Sequence, residues 1–304
     1  MAVRCRGERA DLADAGVEAL TTFAQLLVGG VLTGLVFALV AVGLTLVYGV
    51  MDVVNFAHGE FLMLAMYATL GLALLGLGPL LGLPLAVIAM FLFGIIVYRV
   101  FVRRLLAGPP EATVFGTFGL LVLMQGLAQA VFSSDFLSVP SPPFAGTIRF
   151  AGLAVSQASV VEGCGALILT ALLFAFVEYT ETGRAMRAVA EDRIAATLMG
   201  IDVQRINGLA FGIGAACVGA AGGLLMLSYP VYPTAGVPFA LTAFVVVALG
   251  GFGSISGALV AALLVGMLEV FGGFYLSPEL KLVPVYLAYL VVVLVRPQGL
   301  LGRR

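Results

Sequence analysis

Long apolar runs, separated by small clusters of polar residues, set the pattern of this chain. Residues 19–51, 61–98, 112–134, 163–177, 206–268 and 282–295 carry no charged side chain. A helix crosses a bilayer with about 20 apolar residues at ~1.5 Å each, so the runs can be measured against that length. The 19–51 run would make a helix of about 50 Å, which either tilts and projects from the bilayer or breaks near Gly43 and Thr45. The 61–98 run is divided by Gly76–Pro84 and reads as a helical hairpin whose first arm begins near Asn55. Residues 112–134 are one span and 163–177 the core of another. In the 206–268 run, Ser228–Thr234 (SYPVYPT) and Gly250–Ser254 (GGFGS) are breaks that part three segments. The last span, 282–295, is short, and Lys281 and Arg296 at its ends can snorkel. Residues 133–150, with Pro140, Pro142 and Pro143, read as an extramembrane loop in which any strand is short. The pattern therefore predicts an all-α polytopic membrane protein of about 8–9 transmembrane segments with broken or re-entrant helices.

Composition agrees. Of 304 residues 62% are hydrophobic and 10% charged, with a mean hydropathy of +1.16, far from a water-soluble domain of this size. A net charge of −1 gives no reason to expect nucleic acid as a partner. Cys5, Cys164 and Cys217 are far apart, with no CxxC pair, so neither a metal site nor a disulfide framework is suggested and they read as small apolar residues. Residues 1–18 are too polar for a signal h-region and read as a solvated tail ahead of a 19–302 membrane domain. Tryptophan is absent, so Tyr and Phe must serve at the interfaces.

Orientation follows from arginine. Arg99, Arg103 and Arg104 cluster in one loop, Arg184, Arg187, Arg193 and Arg205 in another, and Arg296, Arg303 and Arg304 at the C-terminus. The 133–158 loop holds only Arg149, so the three clusters are cytoplasmic and that loop is outside. The side of the N-terminal tail depends on whether 19–51 crosses once. The cytoplasmic segment 178–205 is alanine-rich without proline, which favours short helices ending at Gly200. On composition alone it is equally a solvated loop.

Four polar residues gather in NFAHGE, Asn55–Glu60, around the single histidine. Ionisable groups at membrane depth are costly and usually face protein or water. Three readings stay open. Asn55 caps a helix whose first turns hold His58 and Glu60. Alternatively, a discontinuous helix lines a substrate pathway with free backbone groups, or His58 and Glu60 form a proton relay or gate. GGFGSISG, with Gly250, Gly251, Gly253 and Ser254, is a second glycine-rich break ahead of an apolar arm, and the pair suggests a distant internal repeat with the pathway between. Gly30 with Gly34, and Gly219 with Gly223, read as close helix packing. Glu162 and Glu269 are either interfacial or buried polar contacts.

Within the cytoplasmic segment, IAATLMG (Ile194–Gly200) has the alanine, alanine, three residues, glycine spacing of the coupling motif of ABC importer permeases, with Ile194 where that motif carries glutamate and Glu191 and Asp192 one turn earlier. GLTLVYGVMDVVNFAHGEFLML (43–64), GRAMRAVAEDRIAATLMGIDVQRI (183–206), GGFGSISGALVAALLVG (250–266) and RPQGLLG (296–302) resemble, in order, the branched-chain amino acid ABC transporter permeases of the LivH type. The resemblance covers about residues 20–302 and implies a non-catalytic membrane subunit of the bacterial inner membrane. It also implies an extracytoplasmic substrate-binding protein, a second homologous permease, and two ATP-binding subunits that use ATP-Mg. This chain has no GxxxxGK[ST] loop, so no cofactor is expected on it. Glu191, Asp192, Ala195, Ala196 and Gly200 are then the candidate coupling residues, and Asn55, His58, Glu60, Gly250, Gly251, Gly253 and Ser254 the candidate pathway residues. An ion-coupled secondary transporter built on His58, Glu60 and Glu269, or an ABC permease for urea or amides, are the alternatives.

Overall fold

The computed structural model describes residues 2–139, 144–150 and 152–302, with side chains from Glu18 onward except Pro79 and Leu80. The prolines expected in the 133–150 loop and the two terminal arginines therefore lie outside the described residues. In chain order the elements are α1 (Ala2–Met51), α2 (His58–Leu74), α3 (Pro79–Val97), a π turn (Tyr98–Val102), α4 (Arg103–Leu105) and α5 (Pro110–Phe132). Then come the hairpin β1 (Thr147–Phe150) and β2 (Leu153–Ser156), α6 (Gln157–Tyr179), α7 (Glu181–Glu191), α8 (Arg193–Leu198), α9 (Val203–Leu225), α10 (Gly236–Gly250), α11 (Ile255–Tyr275) and α12 (Val283–Val295). Seven of the helical stretches are long and apolar enough to cross a membrane, and α2 and α10 are shorter apolar helices. The two strands pair antiparallel from Thr147↔Ser156 to Phe150↔Leu153.

α1 does not break. Thr45 turns its hydroxyl back onto Ala41 O at 2.8 Å. Gly43 is a packing position, since a Cβ there would lie 3.0 Å from both Cys217 Cβ and Gly214 O of α9. The backbone of the polar N-terminal segment continues into this helix as one rod from Ala2, and the side chains of residues 2–17 lie outside the described set.

α1 and α9 form the centre, and close approach of small residues builds it. A Cβ on Gly34 would meet Leu263 Cα of α11 at 2.8 Å, and one on Gly30 would meet Met267 Cα at 2.8 Å. Gly219 of α9 faces Met90 of α3, and Gly223 faces Leu83. Within lipid, apolar burial between helices gives little net drive, and backbone approach of this kind supplies dispersion contact instead. The outer helices α3, α5 and α12 present Ile88, Leu92, Phe115, Leu127, Leu290 and Leu294 outward, as a lipid-facing surface requires.

Side-chain and backbone contacts sort the loops to two ends. At one end the close of α1 meets α8, through Arg193 Nη2 to Val50 O at 3.1 Å, and Tyr98 binds Gln204 at 3.0 Å. The residues after α12 also join here, Leu300 N reaching Leu249 O at 2.7 Å. Arg99, Arg103 and Arg104, the arginines of 184–205, and Arg296 belong to this end, which is cytoplasmic by the charge rule. At the other end Leu137 bridges Val231, Gly152 lies beside Thr21, and Ser228 binds Glu162. A single crossing by α1 therefore puts Thr21 on the side of the 133–156 loop.

Candidate functional site

α2 and α10 begin inside the molecule. His58 Nε2 is 3.1 Å from Val40 O, and Val40 precedes the end of α1 at Met51 by 51 − 40 = 11 residues, or ~16 Å of helix. Residues 52–57 thus climb from the cytoplasmic end to membrane depth before α2 starts. Asp52, in the left-handed region at φ 55, makes the reversal. Thr117 of α5 holds the climbing stretch by accepting Phe56 N–H at 3.3 Å, while its own hydroxyl donates back to Thr113 O at 2.9 Å. Irregular backbone at membrane depth survives because protein surrounds it and satisfies its groups. Residues 226–235 return in the same manner from the outer end to the start of α10. The first turns of the two short helices cross where Gly59 and Gly236 pack backbone to backbone, with no room for a Cβ on either.

Asn55, His58 and Glu60 are all buried. The Asn55 side chain accepts Ala57 N–H at 3.1 Å in a tight local turn, while the N-cap of α2 is Ala57 and has no side-chain cap. The capping reading therefore holds only in this displaced form. Glu60 Oε1 accepts from Gln125 Nε2 at 2.9 Å, and its second oxygen is buried without a partner. His58 contacts Val40 and Glu60 contacts Gln125, so no hydrogen bond joins the two as a relay pair.

The second glycine-rich break lies elsewhere. Gly251 and Gly253 adopt φ 99 and φ 78, and Ser254 caps α11 by accepting Gly257 N–H at 3.1 Å. Gly253 packs on Gly49, and Tyr48 on Phe252 with ring centroids 4.6 Å apart, eight residues of α1 below Val40. The two breaks are thus about 12 Å apart in depth along α1, and Gly250–Ser254 belongs to the cytoplasmic rim.

At that rim α7 and α8 form an angled pair. Asp192 caps α8, its Oδ1 accepting Ile194 N–H at 2.8 Å and Ala195 N–H at 3.0 Å. Gly200 ends the segment at φ 85, as its place in the sequence predicts. Glu191, Asp192, Ala195 and Gly200 are exposed, whereas Ala196 is 4% exposed and packs into this chain's own core. Small size at 196 thus serves packing inside the subunit. The large outward residues are Ile194, Leu198 and Met199, at 76%, 83% and 82% exposure. An apolar cluster in water on the end of a helix that crosses no membrane marks a contact surface.

The family described as branched-chain amino acid transport system, permease component, matches residues 26–295. This chain belongs to that family. The permease is 34% identical over 297 residues to the high-affinity branched-chain amino acid transport system permease protein LivH of Escherichia coli K12, covering 92% of this chain and 96% of LivH. It is 33% identical over 296 residues to BraD of Pseudomonas aeruginosa, again with 92% and 96% coverage. Among solved structures it resembles PsaBC from Streptococcus pneumoniae in complex with Fab, at a TM-score of 0.50 and 14% identity over 93% of this chain and 96% of that one. That last likeness speaks to fold alone.

Sequence reasoning gave Glu162, Glu269 and Lys281 of the permease lesser parts. Glu162 is buried and accepts the Ser228 hydroxyl at 2.6 Å, so it is an internal contact and not an interfacial residue. Lys281 does not snorkel but lies 2.6 Å from Glu269, whose side chain is 11% exposed. Both pairs line one cavity of about 640 Å³ between α1, α6, α10 and α11. The charges were visible in the sequence, but their convergence from positions 162, 228, 269 and 281 was not.

Proposed function

We propose that this permease is one of two homologous permeases in a binding-protein-dependent ABC importer that carries branched-chain amino acids across the cytoplasmic membrane. Two partner subunits bind and hydrolyse ATP-Mg, and an extracytoplasmic binding protein delivers the substrate. The observation that carries this reading is α8, a capped helix at the arginine-rich end with Ile194, Leu198 and Met199 exposed and no described residue covering them. A self-sufficient carrier has no use for such a surface, whereas a subunit driven by a cytoplasmic ATPase needs one. Glu191, Asp192, Ala195 and Gly200 frame the contact, Asp192 by holding the helix and Gly200 by turning the chain back. Ala196 supports it from within.

In this reading α2 and α10 are the two broken helices of a nine-segment bundle. A distant internal repeat rests on their shared form, each a short apolar helix that follows a non-helical stretch and starts at the Gly59–Gly236 crossing. Asn55, His58 and Glu60 hold the inner end of α2 and frame the pathway, while Gly250, Gly251, Gly253 and Ser254 join α10 to α11 beside the coupling surface.

Purification of the tagged permease from its native membrane, with mass spectrometry of what stays bound, tests the assembly. A second permease and an ATP-binding subunit are the expected companions. Recovery of the chain alone, with uptake driven by an ion gradient, would replace the reading with a secondary carrier, and uptake of urea or amides instead of leucine would replace the substrate. Leu198→Glu combined with Met199→Glu should leave insertion intact and lose the ATP-binding subunit.

A further inference from the structure

The cavity between α1, α6, α10 and α11 has the chemistry of an amino-acid site. Its volume of about 640 Å³ is in the usual range for small-molecule pockets. Its wall is aromatic: Phe37 and Phe239 meet at 6.3 Å between centroids, and Tyr229 and Phe239 at 5.7 Å. Into it reach two carboxylates and one ammonium, from Glu162, Glu269 and Lys281. Lys281 compensates Glu269, whereas Glu162 has one hydroxyl, from Ser228, where an ionised carboxylate takes up to four hydrogen bonds. Glu269 Oε2 is buried with no partner. Among the described residues Glu162 has no ionic partner, and a buried carboxylate without one is costly.

We propose that this cavity is a substrate subsite of the permease itself, in which Glu162 receives the α-ammonium of an amino acid, Lys281 its α-carboxylate, and the Phe37–Phe239 wall its branched side chain. The proposal rests on the functional reading above and deepens it. The α-ammonium gives Glu162 an adjacent cation, and the α-carboxylate takes one of the three donors of Lys281, which it shares with Glu269, so the net charge of the site is unchanged and the gain is in local pairing. Urea or an amide offers Glu162 only neutral N–H donors and brings no charge to pair with it. Selection for a zwitterion with an apolar side chain is thus repeated inside the membrane domain, after any selection by a binding protein.

Ser159, which also lines the cavity, gives the test. In the intact transporter with Cys5→Ala and Cys164→Ala, which leaves only the buried Cys217, the Ser159→Cys thiol is labelled with a membrane-impermeant methanethiosulfonate reagent, with and without leucine. Leucine should slow labelling about tenfold, equivalent to about 1.4 kcal/mol of occupancy, and urea should not. Adding Glu162→Gln should abolish the protection while labelling without leucine keeps its rate, an outcome that a purely structural carboxylate would not produce. Leucine uptake by the wild-type complex with no protection of Ser159→Cys, or with protection unchanged by Glu162→Gln, would overturn the subsite and leave the transport reading standing. Failure of the wild-type complex to take up leucine would overturn that reading and the subsite together.

Discussion

His58 shows how one residue's neighbours decide its role. Its Nε2 reaches a backbone carbonyl of α1 at full burial and meets no ionisable partner by hydrogen bond, so it acts as a strut between α1 and the start of α2. His58→Gln, which keeps a donor near Val40 O, should retain most transport with an unaltered pH profile. His58→Ala removes both bond and volume and should cost about 2–4 kcal/mol, read as lowered thermal stability in detergent. Strong loss of uptake with a shifted pH profile in His58→Gln would favour the relay reading. Gly59 and Gly236 set a harder limit, because each lacks room for a Cβ against the other's backbone. Gly236→Ala should force the two short helices apart at about 1–3 kcal/mol, measured as reduced yield of folded permease. A variant of wild-type stability would show that this crossing tolerates separation.

α8 has only six residues, below the length at which a helix persists on its own in water, so its cap and its packing through Ala196 hold it. Asp192→Ala removes the acceptor of two N–H groups and should cost the helix about 1 kcal/mol. The expected result is weakened copurification of the ATP-binding subunit, with insertion normal. Ala196→Glu is a different experiment from an exposed substitution on the same helix. A charge buried in the subunit's own core should lower stability of the permease as well as coupling, whereas Leu198→Glu should lower coupling alone. Equal stability losses in the two would contradict the inward assignment of Ala196. Similar reasoning separates the two glycine-rich breaks. That at 55–60 starts a shortened helix of 17 residues at membrane depth, and that at 250–254 turns the chain at the rim, although both look alike as strings of small and polar residues.

At the scale of the whole molecule, two long central helices support the re-entrant chain. α1 is flanked by α6 and α11, and α9 by α2 and α3, while the extended 52–57 stretch meets Thr117 of α5 and Phe244 of α10 and is held by the Asn55 turn. The open cavity faces the α6 and α11 side, away from α3 and α5.

Much of this was legible from the order of residues. Charge-free intervals located every apolar helix, because lipid demands internal backbone hydrogen bonding and so ties span length to composition. Pro and Gly marked the turn between α2 and α3 and the breaks around α10, arginine marked one end, and Gly200 marked the close of α8, since φ 85 is open to few other residues. Four ordered motifs gave the family. Periodicity could not say whether α1 breaks at Gly43, because a glycine that ends a helix and one that admits a neighbour read the same until Gly214 is seen opposite. Nor could it tell which face of α8 is buried, how deep His58 lies, or that Glu162, Glu269 and Lys281 share a cavity. Those are relations between distant segments, set by how helices pack, and only the tertiary structure decided them.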